Sequence, residues 1–457
     1  MTDHATTRPR AERLVTFLTA CLGLLTLLLA TAGPARAQEG SPGPLRLELT
    51  EGVIEPLPFA MPRFLAESAQ ADTFASQITQ VVRDDLVNSG LFRAISPDAF
   101  IGRVTNFNAP VQYPDWRAIN AQALITGAVT VTDDGRMQVK FRLIDVFGQD
   151  QLIGRQFAAS SQSWRRMAHK VADAIYARLT GEQGYFDSRV VYIAEEGPKD
   201  ARRKRLAVMD YDGANIRYLT DASDLVLAPR FSPNAREIIY TSYETGVPQV
   251  FLMNIDTLSR RLIDQERNMS FAPRFSPDGR RVILSLSDGR QSDLYTFDIA
   301  TGRKAQVTNT PAIETGPSYA PDGSRIVFES DRGGGQQIYV MAATGGSAQR
   351  ISKGQGRYAT PVWSPRGDLI AFTKILNGRF HIGVMGTDGS NERLLTGSQL
   401  EEGPTWSPNG RVIMFFREAP GAQGGPSIYT VDVTGRNLRR LATPTFGSDP
   451  AWSRLLE

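Results

Sequence analysis

Cysteine and histidine are almost missing from this sequence, and each scarcity removes a class of chemistry. The one cysteine among 457 residues, Cys21, stands inside an apolar run from Leu14 to Ala32. A chain cut after that run holds none, which excludes disulfides and thiolate catalysis and leaves a large core to supply stability. Of the three histidines only His169 and His381 lie beyond residue 37, and no Gly-x-Ser-x-Gly elbow occurs. A Ser-His-Asp hydrolase would also need a further α/β domain for which the chain has no room. No enzymatic activity is expected.

Excess charge is missing too. The formal net charge is +3, and removing residues 1–37, with Arg8, Arg10, Arg13 and Arg36 against Asp3 and Glu12, trims it to +1. Nucleic acid is therefore not an expected partner. The sole basic cluster, "RRKR" at 202–205, reads as a solvated hairpin tip. "TDDG" at 132 and "DYDG" at 210 have acid spacing suggestive of calcium, but neither continues as an EF-hand loop, so both read as hairpin turns.

What the sequence does have begins with an export signal. Three arginines precede the Leu14–Ala32 run, and "GPARA" then places Ala35 and Ala37 at the positions a signal peptidase reads before Gln38. Gly, Pro and Arg interrupt the apolar stretch where a membrane anchor would need continuity, and leucines crowd after Cys21 where a lipidation box would end the run. Residues 1–37 are expected to be a cleaved signal.

The dominant feature is a repeat. "PRFSPNA" at 229, "PRFSPDG" at 273, "PSYAPDG" at 317, "PVWSPRG" at 361 and "PTWSPNG" at 404 are spaced 44, 44, 44 and 43 residues apart, and a truncated "PAWSRLLE" closes the chain at 450. "SPDG" supplies Pro at the second turn position and Gly where φ turns positive, so each motif predicts a tight corner between two strands. Ala235, Arg366 and Asn409 depart from the usual residues of that corner and put its local stability in question. Four strands per unit of this length is a propeller blade.

The repeat is out of phase with the first unit, where "RVVYIAEE" has no proline motif before it, while the last motif has no strands after it. Residues 450–454 are expected to add the innermost strand to the blade begun by Arg189–Ala194, closing a six-bladed ring. Trp363, Trp406 and Trp452 stand where Phe231, Phe275 and Tyr319 stand in other copies, so they read as rings packed between blades rather than sugar-stacking platforms.

Ahead of the ring lies a different pattern. Phe74, Ile78, Val82 and Leu86 share a helical face, with Asp72 as N-cap candidate and Gly90 as stop; Ser163, Ala168, Val171, Ile175, Leu179 and Gly181 repeat the device. Met137, Val139, Phe141 and Leu143 alternate as a strand. The expected organisation is a disordered leader at 38–44, a small mixed α/β domain at 45–183 and an all-β propeller at 184–457.

"NSGLFRAI" and "ALITGAV" in the α/β domain, followed by "P-x-aromatic-S-P-D-G" repeats ending in "PAWS", resemble the TolB family of the Tol-Pal envelope system of Gram-negative bacteria. The resemblance spans the whole chain beyond the signal. It implies a monomeric, non-catalytic periplasmic adaptor that supports outer-membrane integrity and constriction at cell division and meets membranes only through its partners. Those partners would be the peptidoglycan-associated lipoprotein Pal, TolA and other Tol-Pal components.

By the same resemblance Pal docks at the propeller mouth, on residues just before each motif proline: Leu227, Ala228, Ser270, Phe271, Ala272, Glu314, Thr315, Tyr358, Ala359, Glu401, Glu402 and Asp449. These are expected in loops, with Phe271 and Tyr358 as aromatic anchors and the acids as a rim. The TolA-binding segment would be residues 38–54, a Gly/Pro-rich start with Gln38 and Glu39 followed by the alternating Leu45, Leu47 and Leu49 and then Ile54. No cofactor is expected, although calcium could occupy the channel. A peptidase-associated or glycan-binding secreted propeller is the alternative reading.

Overall fold

A computed structural model describes residues 45–47, 55–264 and 268–457. The signal sequence, Gln38, Glu39, Leu49 and Ile54 lie outside them. Among the described residues no helix is long and apolar enough to cross a membrane.

The α/β domain is built on one six-stranded sheet. Its strands are β1 (Leu57–Ala60), β2 (Leu65–Ala66), β3 (Phe92–Ala94), β4 (Ala123–Val131), β5 (Arg136–Asp145) and β6 (Asp150–Ser160), ordered β3-β1-β4-β5-β6 with β2 beside β4. β1 pairs in parallel with β3 and β4, whereas β4, β5 and β6 form an antiparallel meander. Alternation in β5 buries Met137, Val139, Phe141 and Leu143 completely. "TDDG" turns the chain between β4 and β5 as expected, with Gly135 at φ +79°.

Three helices, α1 (Asp72–Asn88), α2 (Tyr113–Ala118) and α3 (Trp164–Thr180), complete the domain. Ile78, Val82 and Leu86 of α1 pack with Val171, Ile175 and Leu179 of α3 in one core. Asp72 is not the N-cap: that position is Ala71, and Asp72 is the first helical residue, where its charge meets the positive end of the helix dipole. Ser163 does precede α3 but makes no side-chain capping bond, while Gly181 ends it in the left-handed conformation at φ +75°. Beyond it the Asp173 carboxylate accepts the Phe186 and Asp187 N–H groups at 2.8 and 3.0 Å and ties the linker back to α3.

Six four-stranded antiparallel sheets follow. The first blade consists of β7 (Arg189–Glu196), β8 (Arg203–Asp210) and β9 (Arg217–Tyr218), and the C-terminal strand Phe446–Trp452 adds inside β7. This closing strand starts earlier than the repeat suggested: Phe446 already pairs with Glu195, and a bulge separates Ser448 from Ala451 before Trp452 meets Val190. The first blade thereby has four strands like the other five.

"RRKR" is not a solvated tip. Arg203 to Arg205 belong to β8, where Lys204 reaches Glu195 at 2.9 Å and Arg205 pairs with Glu196. "DYDG" does turn, between β8 and β9, with Gly213 at φ +91°. At the motif corners Gly279 takes φ +71°, and Ala235 is forced into the same region at +55°. Trp363, Trp406 and Trp452 are buried between blades. Every outer strand carries Arg or Lys, from Arg217 through Lys304 to Arg439, which keeps these short edges from pairing with other chains.

The irregular motif copies have a structural use. Arg366 pairs with Glu182 at 2.9 Å, and the Asn409 side-chain amide donates to the Gln183 carbonyl at 2.8 Å. Asn437 and Arg439 both donate to the Asn88 carbonyl at the end of α1. Two of the three departures from the turn consensus, Arg366 and Asn409, therefore sit where the linker rests on the ring.

Candidate functional site

The inner strands of the blades run side by side around the channel, and their first residues form one mouth. Those residues were expected in loops, but they lie within the strands, at a β-bulge repeated in all six. Register shifts fall between Leu227 and Arg230, Phe271 and Arg274, Thr315 and Ser318, Ala359 and Val362, Glu402 and Thr405, and Ser448 and Ala451. At each one a residue takes positive φ: Ala228, Ala272, Gly316, Thr360, Gly403 and Asp449. The bulge bends each strand where it must curve into the rim.

Bulge geometry decides which side chains face outward. Leu227, Ala228, Phe271, Ala272, Thr315, Ala359, Glu402 and Asp449 are half-buried. Ser270, Glu314, Tyr358 and Glu401 are buried, so Glu314 and Glu401 are not exposed rim acids and Tyr358 is not an exposed anchor. Glu314 pairs with Arg332 and accepts from Thr310 Oγ1 at 3.0 Å, and Glu401 is held by Arg417 Nε and Nη2 at 2.9 and 2.8 Å. The Tyr358 hydroxyl lies 2.8 Å from Glu392 and 2.7 Å from Lys374. Ser270 Oγ accepts the Val250 N–H at 3.0 Å. Each of these side chains ties its inner strand to neighbouring chain.

Sequence reasoning missed the apolar residues that are exposed here. Leu225 and Ile313, each just ahead of its inner strand, are 41% and 49% exposed, and Tyr243, whose N–H donates to the Leu225 carbonyl, is 37% exposed. The available signal was a bulky residue between a polar loop and the motif, in "DLVLAP" and "AIETGP". Acids share the mouth: burial, followed by the nearby Asp449, Glu329 and Glu418 carboxylates, pushes the Glu402 carboxyl up to about 7. Its surface is thus apolar in places, with acids and the basic Lys199, Arg202 and Lys204 beside them.

The N-terminal stretch is placed only in part. The Leu45 N–H donates to Asp145 Oδ2 at 3.2 Å and the Leu47 N–H to the Leu179 carbonyl at 2.7 Å, with both side chains against the domain core.

A third cluster lies between domain and ring. His169 Nδ1 is 2.7 Å from Asp85 Oδ2, and the Tyr211 hydroxyl donates to Asp85 Oδ1 at 2.6 Å, all three side chains being buried. Burial opposes a charge on the imidazole, but the Asp85 carboxylate overcomes it and holds the pKa up at about 9. His169, Asp210 and Asp212 are the group, among the described residues, whose donor atoms could surround a metal, all within 4.8 Å of one another. Arg165 already pairs with both aspartates and supplies positive charge there. Joining α1 and α3 to the β8–β9 turn, this cluster is a staple between domains.

The chain matches two family profiles, one described as "TolB beta propeller domain" over residues 176–456 and one as "TolB amino-terminal domain" over residues 45–152. It is 62% identical over 439 residues to the Tol-Pal system protein TolB of Roseobacter denitrificans, covering 96% of this chain and 98% of that one. The Jannaschia sp. protein of the same name is 63% identical over 94% of this chain and 97% of its own length. A Dinoroseobacter shibae relative aligns at 64% identity over about half of each chain, 52% and 53%. Among solved structures, TolB from Acinetobacter baumannii superposes with a TM-score of 0.78 at 28% identity, over 90% of this chain and 100% of that one.

Proposed function

The chain belongs to the TolB family, and on that premise we propose that it is a periplasmic, non-catalytic adaptor of the Tol-Pal system which docks the lipoprotein Pal on the bulged mouth of its propeller and engages TolA through its N-terminal segment. The observation that carries the reading is the mouth itself. Half-buried Phe271 and exposed Leu225 and Ile313 surround a closed ring of six inner strands, each paired with the next strand of its blade. Such a surface binds a folded partner with little ordering cost, anchored by apolar side chains within a polar rim.

Glu329, Glu402 and Asp449 bring carboxylates to this mouth, and burial, then the neighbouring acids, raises the Glu402 carboxyl; among the described residues these oxygens do not converge as a metal-binding group does.

Leu225→Asp and Ile313→Asp are each expected to weaken Pal binding by about tenfold or more in a calorimetric titration, with an unchanged melting temperature. Deleting residues 38–45 is expected to abolish TolA binding and leave Pal binding intact. Parent-like Pal affinity in both mouth variants would reject this face as the docking site.

A further inference from the structure

The opposite end of the channel is a different chemical environment. There the inner strands finish, and the residue after each motif proline lines an open cavity of about 540 Å3. Around the ring these six positions read Arg230, Arg274, Ser318, Val362, Thr405 and Ala451. Two adjacent blades thus contribute guanidinium groups while four contribute small or neutral side chains. Arg454 stands at the same cavity, and no Asp or Glu lines it.

Several arginines of the ring have an acid partner. Arg332 meets Glu314, Arg411 meets Asp432 and Arg417 meets Glu401. Arg230 and Arg274 form no such pair among the described residues. The sole charged group acting on Arg274 is Arg230, and burial together with this like charge pushes its pKa down. For Arg230, burial lowers the pKa, and Asp449 opposes it without an ion pair; its Nη1 donates only to the Pro229 carbonyl, and its Nε has no partner. Two neighbouring half-buried cations that face a cavity lined by no acid carry a desolvation cost that an anion would offset.

The cavity holds further donors. Ser318 Oγ accepts the Trp363 N–H and Thr405 Oγ1 accepts the Trp452 N–H, which leaves both hydroxyl protons free to point inward. The volume falls within the range of small-molecule sites, and a guanidinium fork matches the paired oxygens of carboxylate or phosphate. We propose that this end of the channel is a binding site for a small anion, its carboxylate or phosphate group held between Arg230 and Arg274 with Ser318 and Thr405 as secondary donors. The site is separate from the mouth where Pal is placed.

The test is calorimetry on the chain from Gln38 onward, titrated at low salt with inorganic phosphate and, separately, with succinate. One saturable site per chain is expected for at least one probe, and which probe saturates identifies the source as phosphate or carboxylate. Arg230→Gln and Arg274→Gln should each weaken that binding at least tenfold, and Arg274→Lys should keep a part of it, because a lysine offers charge without the fork. Removing an unpaired charge should leave the ligand-free melting temperature unchanged or higher, which separates lost binding from lost folding. Pal affinity should not change in these variants, so failure here and failure of the docking surface are distinguishable. Absence of saturation with both probes at millimolar concentration, or undiminished affinity in Arg274→Gln, would overturn the proposal.

Discussion

The Asp449 carboxylate accepts the Ala228 N–H at 3.2 Å, joining two inner strands that are neighbours in the ring but 221 residues apart in sequence. Both residues occupy the positive-φ position of the repeated bulge. The contact links the strand that closes the ring to the first blade carrying a complete motif, so rim geometry depends on the C-terminal strand being in place.

Truncation after Thr443 removes that strand. β7 then loses all its inner pairing, and the Trp452 ring, stacked on Tyr211 at 6.3 Å and edge-on to Tyr185 at 5.8 Å, leaves the seam with the α/β domain. Stability is expected to fall by several kcal/mol and the exposed edges to drive association. Trp452→Ala alone should cost about 3 to 5 kcal/mol. Urea denaturation and light scattering measure both effects, and a monomer with unchanged denaturation midpoint after truncation would contradict closure by this strand.

The mouth should make stability depend on pH. A glutamate of ordinary pKa titrates at 4.5, whereas Glu402 does so at about 7, so between these values the native state holds the extra proton. Its stabilising contribution is complete below about 4.5 and is lost as pH rises through about 7. Because Glu402 is half-buried, solvent screens part of the effect, and a loss on the order of 1 to 2 kcal/mol is expected. Glu402→Gln should remove this component, seen as a smaller difference between denaturation midpoints at about pH 5 and about pH 8. An identical pH profile in the variant would show that other groups dominate.

The propeller was legible because its signal is local and repeated: Pro at a fixed turn position and Gly at positive φ recur at blade spacing, whatever surrounds them. The α/β domain was legible from period alone, in β5 and on α1. What escaped was whatever depends on partners distant in sequence. Glu314 reads as an exposed acid until strand pairing brings Arg332 to it from 18 residues away, and Tyr358 reads as an anchor until Lys374 and Glu392 converge on its hydroxyl. The bulge escaped as well, since Ala228, Thr360 and Asp449 adopt positive φ without the glycine that would announce it. One lost register position is enough to turn an expected rim residue inward.

Asp85, His169 and Tyr211 are expected to couple the two domains. Tyr211→Phe deprives the buried carboxylate of one donor and should cost about 1 to 3 kcal/mol. Asp85→Ala leaves a buried imidazolium without its counter-charge and should cost about 3 to 5 kcal/mol. Adding His169→Ala should recover part of that loss, because the stranded charge goes with it. Additive losses in this double-mutant cycle, measured by denaturation, would mean that the contact at 2.7 Å carries no coupling.

The last prediction sets two small effects against each other at a single atom. Ala235 holds the corner position that Gly279, Gly323, Gly367 and Gly410 hold in the other copies, at φ +55° where theirs are +71°, +72°, +81° and +67°. A left-handed conformation costs a residue with a Cβ about 1 to 2 kcal/mol, so Ala235→Gly relieves strain. The Ala235 methyl is buried, however, and deleting it forfeits up to about 0.8 kcal/mol of apolar burial and adds freedom to the unfolded chain. Relief of strain outweighs both losses, and a gain of a few tenths to about 1 kcal/mol is expected. The reverse change, Gly279→Ala, introduces the strain; its Cβ would meet Pro233 Cδ at 3.4 Å, an ordinary contact, so the new methyl neither clashes nor recovers much. It should lose about 1 kcal/mol. Shifts of opposite sign in the two denaturation midpoints are the expected result, and a loss in both variants would mean that burial of the Ala235 methyl outweighs its backbone strain.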